Sequence, residues 1–227
     1  ASEYRPTDLL SAANAADYIL ITHRDFWTEA QTLAGYRAYD FRVALVDVQQ
    51  IYDQFNGGLM SAEAIRDFLA YAHANWVGSV PESPAPPPAY VLLMGDGTND
   101  MRKYRSSTNT YIPPYLYLAD PELGETAADN RFVTFIGNDN IPDMHIGRFP
   151  VNTPAQAKEM VDKTMRYEVS CACDGVWEKN TLFTTDDLDG GGGNFYYYSD
   201  LIADGFTDDT NTVKLIPEDY TRLKEYL

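Results

Sequence analysis

Three histidines, two cysteines and several crowded carboxylates are the groups in this sequence that can do chemistry. The densest acids, Asp186, Asp187 and Asp189, follow the apolar run Asn180–Thr185 and lead into four glycines. Taken alone, that composition is a solvated loop. Cys171 and Cys173 sit in Ser-Cys-Ala-Cys-Asp. A bridge between residues two apart would be badly strained. A lone Cys-x-Cys with no second pair or nearby histidine is a weak sign of metal. Two loop thiols, or bridges to cysteines outside this chain, fit better. His145, in a short alternating run near Gly147, reads as a packed or hydrogen-bonded ring rather than a base. His73 sits where a helix ends and complements its dipole. His23 lies at a strand's carboxyl end, a position that suits either a functional role or a cap on the next helix. Asp96, in Gly-Asp-Gly, could touch an active site or a cation, yet such an aspartate as readily forms a turn. Asn138, Asp139, Asn140 and Asp143 could gather a calcium ion through oxygen ligands. They match no calcium-loop signature, and turn chemistry is the simpler account.

The elements that must position these groups are legible from apolar runs. Tyr90-Val-Leu-Leu-Met94 is unbroken and stops at Gly95-Asp96-Gly97, which predicts a central strand buried on both faces of a parallel sheet. Asp96 then stands at the strand's carboxyl end, where open α/β sheets place their sites. Asp17–Thr22 and Arg42–Val48 read as two more buried strands. Apolar spacing from Phe26 to Ala38 predicts a helix between them. Tyr52–Gly58 reads as a loop. A helix follows to about Ala74, with Ser61 as its cap and Ile65, Phe68, Leu69 and Ala72 as its buried stripe. Pro81–Pro88 is an extended connector. Thr98–Thr110 is polar and loop-like. Asp129–Asp139 alternates like a half-exposed strand, and Asn140–Val151 contains another short one. Thr153 and Pro154 open a strong helix, with Ala157, Met160, Val161, Thr164, Met165 and Tyr167 facing inward. Asn180–Thr185 and Thr212–Ile216 are strands, Phe195–Phe206 is helical, and Pro217 begins a last helix. Strands alternating with helices imply a parallel sheet with right-handed crossovers.

Composition sets the outer bounds. A chain of 227 residues with 44% hydrophobic content builds a substantial core. No apolar run approaches the ~20 residues a membrane helix needs. A formal charge of −17 argues against nucleic acid, because phosphate contact requires clustered Lys and Arg. Abundant aromatics, with glycine and aspartate gathered in loops, fit an extracellular protein. The first residues, Ala-Ser-Glu-Tyr-Arg-Pro, lack the basic-then-apolar pattern of an export signal.

An ordered series of segments carries a family resemblance. It comprises Ile51-Tyr-Asp-Gln-Phe55, Gly58, Ala64-Ile-Arg-Asp-Phe-Leu69, Tyr90–Asp96, Ile112-Pro113 and Ala128-Asp129-Asn130. It continues with Ile136-Gly-Asn-Asp139, Pro142–Val151, Val161-Asp-Lys163, Tyr167-Glu168, and Trp177 before Thr181-Leu-Phe. Together they resemble the gingipain family of cysteine peptidases over roughly Asp17 to Asp189.

The resemblance implies a caspase-like α/β fold: parallel sheets with mixed edges, flanked by helices in three α/β/α layers. Residues 1–170 would be a first subdomain and 171–227 the start of a second. It also implies a catalytic pair, a His before Gly after one strand and a Cys ending the next. A thiolate attacks the peptide carbonyl, while the imidazole keeps the thiol deprotonated and later protonates the leaving amine. Here His23 precedes Arg24, His73 precedes Ala74, and His145 precedes Ile146. The family's pair follows the segment matching Thr212–Leu227, so this chain is expected to be inactive alone. Asp186, Asp187 or Asp189 would orient the missing histidine through its other ring nitrogen. Gly190–Tyr198 would line a substrate pocket, without a clear acid for a basic side chain. The implied setting is secreted or on the cell surface of a bacterium. The implied partners are the carboxy-terminal remainder of the same precursor and a protein or peptide substrate, with no nucleic acid. No cofactor is required, and structural calcium is the one metal considered. The competing reading is a non-catalytic caspase-like module for binding or extracellular assembly.

Overall fold

The computed structural model describes residues 3–78, 85–101, 103–105, 107–121, 124–137, 139–170, 180–185, 194–204 and 211–215. The chain divides into two compact units, Ala1–Glu168 and Val169–Leu227.

The first unit begins with the short strand β1 (Glu3–Tyr4) and then β2 (Tyr18–Thr22). A 3-10 turn, Arg24–Phe26, leads into α1 (Trp27–Arg37). β3 (Val43–Asp47) runs directly into α2 (Val48–Phe55). α2 replaces much of the loop expected at Tyr52–Gly58. Its cause is local: the Asp47 carboxylate accepts a hydrogen bond from the Gln49 N–H at 2.9 Å, and Val48, Ile51 and Tyr52 make a buried stripe. Gly57 and Gly58, at φ 58° and 87°, then end it. α3 (Ala62–Asn75) starts where expected, with the Ser61 hydroxyl accepting from the Ala64 N–H at 3.3 Å.

β4 (Tyr90–Met94) follows, then the antiparallel hairpin β5 (Leu116–Asp120) and β6 (Gly124–Ala127). Where sequence alternation predicts a strand from Asp129, the chain makes a 3-10 helix, Asp129–Val133. Phe132 and Val133 are adjacent and both fully buried, which the alternating faces of a half-exposed strand would not give. β7 (His145–Phe149) and α4 (Pro154–Ser170) complete the unit. Thr153 caps α4 as expected, its hydroxyl accepting from the Gln156 N–H at 3.2 Å. Ala157 and Val161 are buried, but Tyr167 is exposed rather than inward-facing.

The sheet order is β1-β3-β2-β4-β7, and every pairing is parallel. β2, not Tyr90–Met94, occupies the middle of the five, with β4 beside it. One face carries Ile19, Ile21, Val46, Val91 and Leu93 against α2 and α3. The other carries Leu20, Leu45, Leu92 and Met94 against α1 and α4. Three α/β/α layers result, each strand burying alternate residues on opposite faces. In the second unit β8 (Asn180–Thr184) and β9 (Asn211–Leu215) pair in parallel, with α5 (Phe195–Asp204) between them in sequence. The expected helix from Pro217 and the prolines at 81–84 lie outside the described residues.

Candidate functional site

The chain leaves β2 for β3 on one side and crosses back to β4 on the other, with α1 and the α2–α3 pair on opposite faces. The topological switch point therefore lies between the carboxyl ends of β2 and β4, where open α/β sheets form their crevice. Thr22 aligns with Asp47 and with Met94, and Met94 with Phe149. That register brings His23, Asp96 and Asn152, just beyond three of these strands, to one edge beside Asp47.

These side chains bond to one another and to the backbone. Asp96 Oδ1 accepts from the Gly97 N–H at 2.8 Å, and Oδ2 accepts from Asn152 Nδ2 at 2.8 Å. Tyr111 fills the crevice. Its hydroxyl donates to the Asn152 carbonyl at 3.0 Å, and its ring lies 4.7 Å from Phe26 and 5.2 Å, edge-on, from His23. A Cβ on Gly97 would collide with the Ile112 carbonyl, and one on Gly95 would come within 2.9 Å of Tyr111 Cβ. Only glycine lets the two chain segments approach this closely. Arg148, reaching in from β7, holds the same region. It clamps Asp129 in a bidentate pair at 2.7 and 3.0 Å and donates to the carbonyls of Gly95 (2.8 Å), Ile112 (3.0 Å) and Pro113 (3.4 Å). The planar fork of arginine suits this fixed, multi-acceptor geometry. The edge is thus a framework cross-linked through Arg148, Asp96, Tyr111 and Asn152. It positions loops, and its described residues include no cysteine.

The sequence candidates fare differently. The His23 Nδ1 accepts from the Asp25 N–H at 3.2 Å, capping the 3-10 turn, so in the neutral ring the proton sits on Nε2. His73, in the last turn of α3, packs edge-on against Phe135 at 5.3 Å. His145 opens β7 at the opposite, amino-terminal edge and stacks on Tyr90 at 5.3 Å. Asp139 accepts from the Ile141 N–H, and Asp143 accepts from the N–H groups of Phe135 and Ile136, both at 2.8 Å. Burial pushes the Asp143 carboxyl up, but those two donors and the charge on His73 outweigh it and leave it below its ordinary value. Their oxygens are engaged in turns. Among the described residues no group of three His, Cys, Asp or Glu side chains could hold a metal ion. Asp186, Asp187, Asp189, Cys171, Cys173, Asn138 and the glycines 190–193 lie outside the described residues. Tyr197 and Tyr198, in α5, are exposed.

A sequence model of Peptidase family C25 matches residues 11–227. The chain belongs to peptidase family C25. Among solved structures, the C25 chain is similar to dimeric latent PorU from Porphyromonas gingivalis, with 28% identity and a TM-score of 0.59 over 74% of this chain and 17% of that one. It is also similar to the Porphyromonas gingivalis Arg-specific cysteine proteinase gingipain R, with 17% identity and a TM-score of 0.55 over 91% of this chain and 42% of that one. A complex of RgpB pro- and mature domains matches at 17% identity and a TM-score of 0.55, over 88% of this chain and 41% of that one. At 17% identity the likeness is one of fold, the caspase-like parallel α/β architecture. The C25 chain spans less than half the length of each of these relatives. No curated protein matches it. Among the described residues no helix is long and apolar enough to cross a membrane.

Sequence reasoning passed over Arg148, Asp129, Tyr111 and Asn152, which organise the edge of this C25 unit. One signal was present: a lone cation inside the strand run His145-Ile-Gly-Arg-Phe149 must find an acid when its strand is covered.

Proposed function

We propose that the chain is the amino-terminal part of a secreted gingipain-like cysteine endopeptidase of bacterial origin. In this reading it is inactive by itself and draws its Cys/His pair from polypeptide outside these 227 residues. The observation that carries the reading is the use made of the three histidines within a family C25 fold: one caps a turn and two pack against aromatic rings. Each imidazole is thus engaged in a cap or an aromatic contact, whereas a catalytic one must lie within hydrogen-bond reach of sulfur. This chain would contribute the framework at the carboxyl edge. Asp186, Asp187 or Asp189 would act as a positioning residue on the incoming imidazole, and the precursor's remaining segment would be the partner. The substrate is protein or peptide, and the reading requires no cofactor.

The test combines the coding sequence after Leu227 with a thiol-reactive peptide probe applied to the full-length protein. The reading expects a strand ending in His-Gly, a following strand ending in Cys, and probe attached to that cysteine. Probe on Cys171 or Cys173, or on no cysteine at all, overturns it in favour of a non-catalytic module. Changing each of the three aspartates to asparagine then identifies the orienting acid as the variant with a shifted pH profile.

A further inference from the structure

α2 ends in an exposed glycine turn. Asn56, Gly57 and Gly58 follow Phe55, and Asn56-Gly57 is the only asparagine–glycine pair among the 227 residues. The Asn56 N–H donates to the Tyr52 carbonyl at 2.9 Å, and the Gly58 N–H reaches the same carbonyl at 2.9 Å. Gly57 and Gly58 take left-handed φ of 58° and 87°, the usual glycine stop to a helix. Residues 56–60 are all exposed, and a Cβ placed on Gly57 would meet nothing within 4 Å. The Gly57 backbone is thus open to water, with no side chain to hinder its nitrogen.

An asparagine carboxamide and the next backbone nitrogen are an electrophile and a nucleophile within ring-closing reach, and asparagine is thermolabile for that reason. We propose that Asn56-Gly57 is a spontaneous modification site, where the chain converts its own asparagine to aspartate and isoaspartate with water as the only co-reactant. The inference is independent of the peptidase reading. The Gly57 nitrogen bonds to Asn56 Cγ, the Cγ–Nδ2 bond breaks, and ammonia leaves with the proton from Gly57. Water then opens the cyclic imide. Attack at Cγ breaks the new bond to nitrogen and gives aspartate. Attack at the main-chain carbonyl carbon breaks the original peptide bond, so the chain runs through the side chain as isoaspartate. Closure requires the Asn56–Gly57 peptide to turn from its ψ of 28°. That turn releases the Asn56 Nδ2 bond to the Leu59 carbonyl (2.8 Å) and the Leu59 N–H bond to the Asn56 carbonyl (3.2 Å). It also loosens Gly58 from Tyr52 and from Gln49 Nε2, which donates to the Gly58 carbonyl at 3.2 Å. All four bonds lie outside the helical ladders of α2 and α3, so no regular structure has to unfold. Other asparagines are held or hindered. The Ala15 N–H after Asn14 donates to the Tyr4 hydroxyl at 2.9 Å, the Trp76 N–H after Asn75 donates to the Ala72 carbonyl at 2.8 Å, and Asn152 precedes the β-branched Thr153. Either product sets a carboxylate at the carboxyl end of α2, against the helix dipole and close to Asp53 on the preceding turn. Isoaspartate also inserts a methylene into the turn that anchors Gly58.

Prolonged warm incubation of the folded full-length protein at mildly alkaline pH, followed by tryptic peptide mapping, tests the site. The peptide Val43–Arg66 should give two new species with the mass gain of amide-to-acid exchange, only one of them labelled by an isoaspartyl methyltransferase. Peptides carrying Asn14, Asn75 and Asn152 should stay unchanged over the same period. Asn56→Gln, whose closure needs a larger and slower-forming ring, should abolish both species. Asn56→Asp supplies the product charge with a normal backbone and should lower the thermal midpoint, and the aged parent protein should fall further. Conversion at Asn14 or Asn75 as fast as at Asn56, or conversion of Val43–Arg66 only after denaturation, would overturn the proposal. An aged protein with isoaspartate at position 56 and an unchanged midpoint would overturn the part assigned to the α2 turn.

Discussion

At the scale of single residues, Arg148 carries the largest share of the site's geometry. Its side chain is only 13% exposed, and that of its partner Asp129 is 29% exposed. Replacing Arg148 with methionine leaves a half-buried carboxylate unpaired and withdraws a donor from three backbone carbonyls. Removing one member of a buried pair costs several kcal/mol, so destabilisation of about 3 kcal/mol is expected. Arg148→Lys keeps the charge but lacks the planar fork, so it should recover only part of that stability. Denaturant titration of the two variants checks both values. A methionine variant as stable as the parent would show that the clamp is not what holds Gly95 to Ile112. This arginine also shows what sequence conceals. Its position inside a strand was readable, but its five acceptor contacts come from segments up to 53 residues away and exist only once the sheet has formed.

At the scale of elements, strands and capped helices were legible because their signals are local. Ser61 and Thr153 precede their helices and cap them, and the apolar runs of β2, β3 and β4 became the sheet. α2 was hidden because its cap, Asp47, is also the last residue of β3, while the glycines after it dominate the composition. The hairpin β5–β6 was missed because its pairing depends on the partner strand rather than on a buried face. Another link crosses elements: Arg37, at the end of α1, forms a bidentate pair with Glu168 of α4 at 2.8 and 2.6 Å. The guanidinium bonds hold the Glu168 carboxyl below its ordinary value of 4.5, outweighing the upward push of burial. A carboxyl with a depressed folded pKa adds stability that is present above its unfolded value and lost as pH falls through the folded value. With the Glu168 side chain 34% exposed, solvent screening limits the contribution to about 0.5–1 kcal/mol. Glu168→Gln should therefore lower stability at pH 7 by that amount and converge on the parent as pH falls through the folded Glu168 value. A deficit that persists unchanged through that fall would assign the effect to packing rather than to charge.

At the scale of the whole molecule, net charge and these local pairs oppose each other along the pH axis. A formal charge of −17 at pH 7 repels itself in any compact state. Acidification toward the isoelectric point near 4.3 protonates exposed carboxylates and relieves that repulsion. The depressed carboxyls of Glu168 and Asp143 keep their charge and their bonds to lower pH than ordinary carboxyls do. As pH falls through their depressed folded values they protonate, and their contributions are lost. Stability should therefore rise as pH falls from 7 toward the isoelectric point, and drop once these carboxyls protonate. Salt should act in the same direction as mild acid. Raising ionic strength to about 0.15 M shortens the screening length to roughly 8 Å and should raise the melting temperature at pH 7. At the isoelectric point near 4.3, where little net charge is left to screen, the salt effect should nearly vanish. Melting curves on a grid of pH and salt separate the two terms. A salt response as large near the isoelectric point as at pH 7 would show that specific ion binding, not self-repulsion, governs the stability of this acidic chain.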